Sequence, residues 1–260
     1  MEYEFVDKKI NISRGKKAEE LLKTKNDKEF LKDGIIKEVP LERWKEAQEY
    51  EKETWCFSNA RGMSTDRNED HRNKFRGYNQ LNIHFHYDGL SLIELGCGPF
   101  TNLRLIIPEL YRTISKVDLL DPLINDYVKH TQNCHYKSGY LSTRKVNLLP
   151  YAIEDFDVQE QYDIIVMMNV LEHCRDIDLI FEKIKKMMHK NSIFLFHDTS
   201  FEDGTIAERL NKRRDAGHPI LLSTSYLNKL IKNFKVIFEN GTLGNKENEV
   251  SHYLILKYNG

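Results

Sequence analysis

"SLIELGCGPFTNL", residues 91–103, decides the fold. An apolar run closes on an acid, Glu94, and gives way to Gly96 and Gly98 on either side of Cys97. A glycine turn between a strand and a helix lets backbone N–H groups approach a ligand, because no side chain intervenes. A dinucleotide fold seats a pyrophosphate there with three glycines, but Phe100 stands where the third is expected. Glu94 points the same way: a carboxylate at the strand end repels a pyrophosphate and suits a ligand that carries positive charge.

The pattern downstream alternates. "SLIEL", "ISKVDLL" (114–120), "TRKVNLL" (143–149), "YDIIVMM" (162–168) and "SIFLFH" (192–197) read as strands. Between them, "PLINDYVKH" reads as a helix with Pro122 in its first turn, and "RDIDLIFEKIKKMMHK" carries apolar residues at 177, 180, 181, 184, 187 and 188, a helical stripe. "STSYLNKLIKNF" reads as a capped helix, and "KVIFE" and "HYLILK" as a closing antiparallel pair. Strand alternating with helix implies a parallel sheet covered on both faces, with ligands at the carboxyl ends of its strands. The expected fold is therefore α/β: a doubly wound, Rossmann-like, mostly parallel seven-stranded sheet with an antiparallel C-terminal hairpin.

Residues 1–90 form a polar N-terminal helical extension or lid, and residues 91–260 the ligand-binding domain. "VPLERWKEAQEYEKETWCF" predicts a helix after Pro40 with Leu41, Trp44 and Ala47 on one stripe, and "STDRNEDHRNKFRGYNQL" a second one capped by Ser64, Thr65 or Asp66. Residues 1–35 show no sustained period and read as partly mobile.

Lys plus Arg number 39 and Asp plus Glu 40, a net charge of −1 that gathers neither nucleic acid nor an anionic membrane. No apolar run approaches the length of a bilayer span, and the N-terminus lacks the apolar core of a signal peptide. The 4 cysteines have no metal or redox spacing and read as reduced thiols of a cytoplasmic protein.

"ELGCG" resembles the first motif of the class I S-adenosylmethionine-dependent methyltransferases, whose ligand has a sulfonium and an ammonium and no phosphate. The order of the remaining motifs agrees over residues 91–257. The resemblance implies that Glu94, Gly96, Cys97 and Gly98 hold S-adenosylmethionine, that Asp121 binds the ribose hydroxyls with its neighbour Pro122 also in the cofactor site, and that Ile153 and Glu154 of "AIEDF" meet the adenine. In "YDIIVMMNVLEH" it places Met168 and Asn169 beside the methionine moiety. S-adenosylhomocysteine is the implied product.

Methyl transfer to a hydroxyl needs a base, for which imidazole is suited near neutral pH. His173 is the first candidate, followed by His197 and His218; His84 and His86, flanking Phe85, read as structural. Some relatives hold a divalent ion with acid-x-x-Glu-His, but Asn169 stands at the first position here, so no required metal is expected.

"ERWKEAQEYEKETW" is similar to methyltransferases of bacterial capsule and surface-polysaccharide clusters. That likeness implies a small phosphorylated or nucleotide-linked acceptor. Arg213 and Arg214, with Arg72 and Arg76 from the N-terminal helices, are the candidates to grip its phosphate. The alternatives are a nucleic-acid or protein methyltransferase, disfavoured by the charge balance and by "NVLEH" after the fourth strand, and a non-catalytic S-adenosylmethionine-binding partner protein.

Overall fold

The structure, a computed structural model, describes residues 27–57, 65–131, 134–137, 141, 146–212, 216–243 and 248–258. Seven strands form one sheet: β1 (Leu90–Leu95), β2 (Ile114–Leu120), β3 (Val146–Leu149), β4 (Tyr162–Met168), β5 (Met188–Phe201), β6 (Phe234–Leu243) and β7 (Glu249–Tyr258). Their order is β3-β2-β1-β4-β5-β7-β6. The first five are parallel, and β7 lies antiparallel between β5 and β6. The chain reverses its direction of winding between β1 and β4, the switch point at which such sheets bind ligands.

The helices are α1 (Leu41–Lys52), α2 (Thr65–Lys74), α3 (Leu103–Ile106), α4 (Ile124–His130), α5 (Ile177–Met187), α6 (Ile206–Lys212) and α7 (Thr224–Ile231). Both faces of the sheet are covered, as the near-continuous apolar strands require. On one face Ile93, Ile165 and Phe194 pack against Ile180, Phe181 and Ile184 of α5 and Leu227 of α7. On the other Leu92, Ile164 and Val166 pack against Leu103, Ile106 and Ile124. Adjacent residues of one strand thus serve opposite cores, as the period of two dictates. None of the described helices is long and apolar enough to cross a membrane.

Several boundaries differ from the sequence expectation. α5 begins where Asp176 accepts the Leu179 N–H at 3.1 Å, but it stops at Met187. Met188 pairs with Tyr162 in parallel register, and its carbonyl accepts from Gln161 Nε2 at 2.9 Å, so β5 starts there rather than at 192. α4 starts at Ile124, with Pro122 just ahead of it. The second N-terminal helix ends at Lys74, because Arg76 (φ 55°) and Gly77 (φ 81°) turn the chain into a 3-10 segment, Tyr78–His84. Ser64, one of its expected caps, lies outside the described residues.

The N-terminal region packs into the same cores as the sheet. Residues 1–26 lie outside the described residues, but Ile35, the last residue of the stretch expected to be partly mobile, is buried with Ile36 beside α5. Phe75, Tyr78, Leu81 and Phe85 are fully buried in the opposite core. On α1 the buried residues are Arg43 and Ala47, whereas Leu41 is exposed. Arg43 grips Asp27 with two nitrogens at 2.6 and 2.9 Å and reaches the Ala216 carbonyl at 3.0 Å. This buried pair fastens the N-terminal region to the loop before α7.

Candidate active site

A cavity of about 830 Å³ opens over the carboxyl ends of β1, β2, β4 and β5, roofed by α1, the turn Glu53–Phe57 that follows it, and His71 of α2. Its floor is the glycine turn. Gly96 has φ +64°, and its N–H donates to the Leu120 carbonyl at 2.7 Å. Gly98 has φ +53°, and its N–H donates to Asp121 Oδ2 at 3.0 Å. The other carboxylate oxygen of Asp121 accepts the Leu123 N–H at 2.8 Å. Asp121 thereby ties the β1 turn to the start of the chain leading into α4, and burial pushes its carboxyl up to about 6.

Gly96, Cys97, Gly98, Asp121, Pro122, Ile153, Glu154, Met168 and Asn169 all line the cavity. Glu154 Oε1 accepts the N–H groups of Arg175 and Asp176 at 2.7 and 3.2 Å, which fixes its side chain at the edge. Asn169 holds φ +62°, and its N–H donates to the His197 carbonyl at 2.7 Å. A non-glycine residue in that conformation is strained, and such strain gathers at functional turns. Phe100, in place of a third glycine, sits in the lining with its ring edge-to-face against Trp55 (6.0 Å) and His135 (5.1 Å).

Glu94, which the resemblance places at the ligand, is set apart from the other cofactor candidates by where its oxygens go. It is 1% exposed and absent from the lining. Oε2 accepts from the Thr101 hydroxyl, and Oε1 from the Asn102 N–H (3.0 Å) and the Asn102 side-chain amide (3.1 Å). The acid therefore braces the turn from beneath. Burial pushes its carboxyl up to about 7, against the opposing pull of these donors.

The three candidate bases all line the cavity, in two groups. His173 and His218 stand edge-to-face, ring centroids 4.5 Å apart. His173 Nδ1 lies 3.1 Å from the Gly217 carbonyl, and the His173 main-chain carbonyl accepts from Trp44 Nε1 and Gln48 Nε2, each at 3.1 Å. Glu172 Oε1 is 3.5 Å from His218 Nε2 and 3.9 Å from His173 Nε2. Glu51, His173 and His218 each offer one ligand atom within 4.8 Å of the others, so this corner has the donor set for a divalent ion even with Asn169 in the first position of the relatives' motif. His197 lies in the second group, stacked on Tyr253 at 4.1 Å and packed on His71 at 4.9 Å.

The two described arginines of the expected phosphate grip stand outside the lining. Arg72 pairs with Glu109 and Arg76 is exposed, and neither lines the cavity. Arg213 and Arg214 lie outside the described residues. Arg209 of α6 is the Lys or Arg found in the described lining; it pairs with Glu249 at 2.9 Å, and its guanidinium lies 4.6 Å over the Phe201 ring. Trp44, Gln48, Glu51, His71, Asn102 and Tyr253 also border the cavity and carry no signal in the sequence, because they come from elements that meet only in the fold.

Residues 36–241 match the family model of a methyltransferase domain. A ubiquinone biosynthesis O-methyltransferase of Nitrobacter winogradskyi is 29% identical over 103 residues, 38% of this chain and 35% of that protein. A protein of the same name from Bradyrhizobium diazoefficiens is 24% identical over 110 residues, 41% of this chain and 39% of that protein. The chain thus spans well under half the length of these curated relatives. Among solved structures, the N-methyltransferase NodS from Bradyrhizobium japonicum in complex with S-adenosylhomocysteine superimposes with a TM-score of 0.58 at 14% identity, over 83% of this chain and 99% of that one. The 1,6-didemethyltoxoflavin-N1-methyltransferase of Burkholderia thailandensis does so with a TM-score of 0.55 at 13% identity, over 87% and 95%. At such identities the likeness is one of fold.

Proposed function

This chain belongs to the methyltransferase-domain family, whose methyl donor is S-adenosylmethionine, and we propose that it moves that methyl group to a hydroxyl of a small-molecule acceptor. The donor set of the cavity carries the reading. Asp121, buried at the end of β2 beside the glycine turn, suits a ribose diol, and Glu154 and the Ile153 backbone suit an adenine edge. The described lining holds the carboxylates of Glu51, Asp70, Asp121, Glu154, Glu172 and Glu249, with Arg209, paired to Glu249, as its Lys or Arg. That balance suits a sulfonium and an ammonium and disfavours a pyrophosphate.

When bound, S-adenosylmethionine supplies a carbon already activated toward displacement by its positive sulfur. The residues of this chain have three tasks. The turn at Gly96–Gly98 and the acid Asp121 hold the donor in one orientation. The wall formed by Asn169, His197 and Tyr253 limits where an acceptor oxygen can sit, and alignment of this kind is worth about 7–11 kcal/mol in well-oriented cases. An imidazole receives the hydroxyl proton as the new O–C bond forms and the C–S bond breaks.

The O-methyltransferase names of the curated relatives support oxygen as the methylated atom. The finer reading, a phosphorylated or nucleotide-linked precursor of a surface polysaccharide, is supported by the likeness of the N-terminal sequence and by Arg209 at the acceptor end. The test is to incubate the purified chain with S-adenosylmethionine and three acceptor sets: neutral hydroxylated aromatics, sugar phosphates and sugar nucleotides. Formation of S-adenosylhomocysteine with a hydroxyl acceptor supports O-methylation. Equal turnover of neutral and phosphorylated acceptors sinks the phosphate grip. Dialysis against EDTA should leave turnover unchanged; a loss restored by magnesium or zinc assigns Glu51, His173 and His218 to a required metal.

A further inference from the structure

We propose that Asp198, at the end of β5, is a positioning residue for the methyl donor: its carboxylate holds the turn after β4 so that Asn169 keeps its left-handed backbone and Val170 stays pressed on the glycine turn. This rests on the cavity being the S-adenosylmethionine site. Asp198 is buried, 2% exposed, and is not among the residues that line the cavity, so it acts through the residues it holds.

Asn169 has φ +62°, a conformation in which a residue with a side chain persists only if its surroundings dictate it. Here β5 fixes the peptide groups on both sides of Asn169. Ahead of it, the Asn169 N–H donates to the His197 carbonyl at 2.7 Å. Behind it, the Val170 N–H donates to Asp198 Oδ2 at 3.1 Å, and the Leu171 N–H to the same oxygen at 2.7 Å. Each peptide is a rigid plane, so fixing both leaves the φ and ψ between them no freedom. The two anchors are adjacent residues of one strand but differ in kind. The His197 carbonyl is backbone that any residue supplies, whereas the second anchor needs a side chain.

An acid is the side chain that fits. The other carboxylate oxygen, Oδ1, accepts the Thr199 N–H at 2.8 Å. Asp198 thus meets three N–H groups, and an ionised carboxylate accepts on both oxygens. An amide in its place would turn its NH₂ toward one of these donors. Burial pushes the Asp198 carboxyl up to about 7, with Glu172 adding to the rise, while the three N–H groups pull against it.

What this clamp holds reaches the donor site through Val170. A Cβ added to Gly96 would lie 2.4 and 2.6 Å from the two methyls of Val170, so Val170 fills the space that the missing side chain leaves. The Val170 carbonyl is held too, by the His173 N–H at 3.0 Å and the Cys174 thiol at 3.2 Å. The glycine turn and the turn after β4 therefore meet at Gly96 and Val170, and Gly96, Asn169 and Val170 all line the cavity. Releasing the Val170 N–H lets the peptide after Asn169 rotate, and Asn169 relaxes toward the negative φ that a residue with a Cβ prefers. Val170 then moves off Gly96, and the donor meets a floor of the wrong shape.

The test is a double-mutant cycle read in donor affinity, at pH 8 and at a temperature where circular dichroism shows each variant folded. By calorimetry, Asp198→Ala should weaken binding of S-adenosylmethionine and S-adenosylhomocysteine roughly tenfold or more, as loss of a charge-assisted hydrogen bond does. Asp198→Asn, whose oxygen still accepts from Val170 and Leu171, should fall between wild type and Asp198→Ala. Glycine adopts a positive φ without strain. In an Asn169→Gly background the Asp198→Ala change should therefore cost no more than about threefold, because the conformation no longer has to be imposed. In ¹³C,¹⁵N-labelled wild-type protein, Asn169 should show the Cα and Cβ shifts of a left-handed residue, and Asp198→Ala should move them toward ordinary values. A brace that serves stability alone would lower the melting temperature and move neither readout. Wild-type Kd in folded Asp198→Ala, or an equal cost of that change in the two backgrounds, overturns the proposal. If the alanine variant does not fold, the same cycle run with Asp198→Asn decides by the same criterion. If wild type binds neither S-adenosylmethionine nor S-adenosylhomocysteine, the reading of the cavity has failed and this proposal fails with it; if wild type binds them and the variants bind as well, the proposal alone fails.

Discussion

A Cβ placed on Gly96 would fall 2.4 Å from Cγ1 of Val170, and the backbone there has φ +64°. Both facts forbid a side chain, so Gly96→Ala should unseat the turn from the loop after β4. We expect a lower melting temperature and at least tenfold weaker S-adenosylmethionine binding; a variant with wild-type affinity by calorimetry would show that the turn does not set the cofactor site. Asp121→Ala removes a carboxylate that both ties the turn and faces the cavity. The loss of a charge-assisted hydrogen bond is worth about 1.5–3 kcal/mol, or roughly ten- to a hundredfold in Kd. Unchanged affinity in folded Asp121→Ala protein removes the ribose assignment. These residues were legible because the signal is local: a glycine pair after an apolar run, and an acid at the end of the next one. Glu94 was legible as a special position but not as a brace, since its partners Thr101 and Asn102 close on it only when the turn has formed. His71 carries no local signal at all. Its partner Asn102 is 31 residues away, and nothing in a polar helix marks one histidine as facing a cavity.

At the scale of elements, the strands were readable from apolar runs, but their ends were set by pairing. The apolar stripe of α5 continues in sequence to Met188, yet β4 claims that residue for β5, because the ladder with Tyr162 outweighs one more turn of helix. α1 shows the opposite limit: its buried face centres on Arg43, a residue that any hydrophobic pattern assigns to solvent. Arg43 and Asp27 are each 5% exposed at the side chain, and Arg43 also holds the Ala216 carbonyl. The next residue, Gly217, accepts from His173, and His218 borders the cavity. Arg43→Met should therefore leave Asp27 as a buried, unpaired charge, at a cost of about 3–5 kcal/mol. It should also loosen the 216–218 loop and raise the acceptor KM more than the cofactor Kd. The double change Arg43→Met with Asp27→Leu should recover most of the stability, because neither charge is then stranded. Denaturant titration of the three variants decides the point: if the single and double variants are equally unstable, the ion pair is not what holds the loop.

Over the molecule as a whole, three buried carboxyls among the described residues are pushed up by burial: Glu94 to about 7, Asp121 to about 6 and Asp198 to about 7. Their ordinary values are 4.5 for Glu and 3.8 for Asp. The folded chain therefore holds protons that the unfolded chain has released. The stability these groups contribute is present in acid and is lost as pH rises through about 6 to 7. His135 runs the other way: burial lowers its imidazole to about 4, so its contribution is complete above the ordinary 6.5 and is lost as pH falls below that. Between about pH 6.5 and 7.5 the histidine is silent and the carboxyls alone act, so the ligand-free chain should lose stability across that window. The bound donor changes the sign. Its sulfonium and ammonium favour ionised carboxylates beside them, so binding should drive protons off Asp121, which lines the cavity, and off Glu94 just beneath the turn. S-adenosylmethionine affinity should accordingly rise between pH 6 and 7.5. Calorimetry in two buffers of different ionisation enthalpy should register proton release. S-adenosylhomocysteine, which lacks the sulfonium charge, should show a shallower rise, so the ratio of donor to product affinity should grow with pH. Equal pH slopes for the two would place the acids out of reach of the sulfur, and proton uptake on binding would contradict the cavity electrostatics on which the assignment of the donor rests.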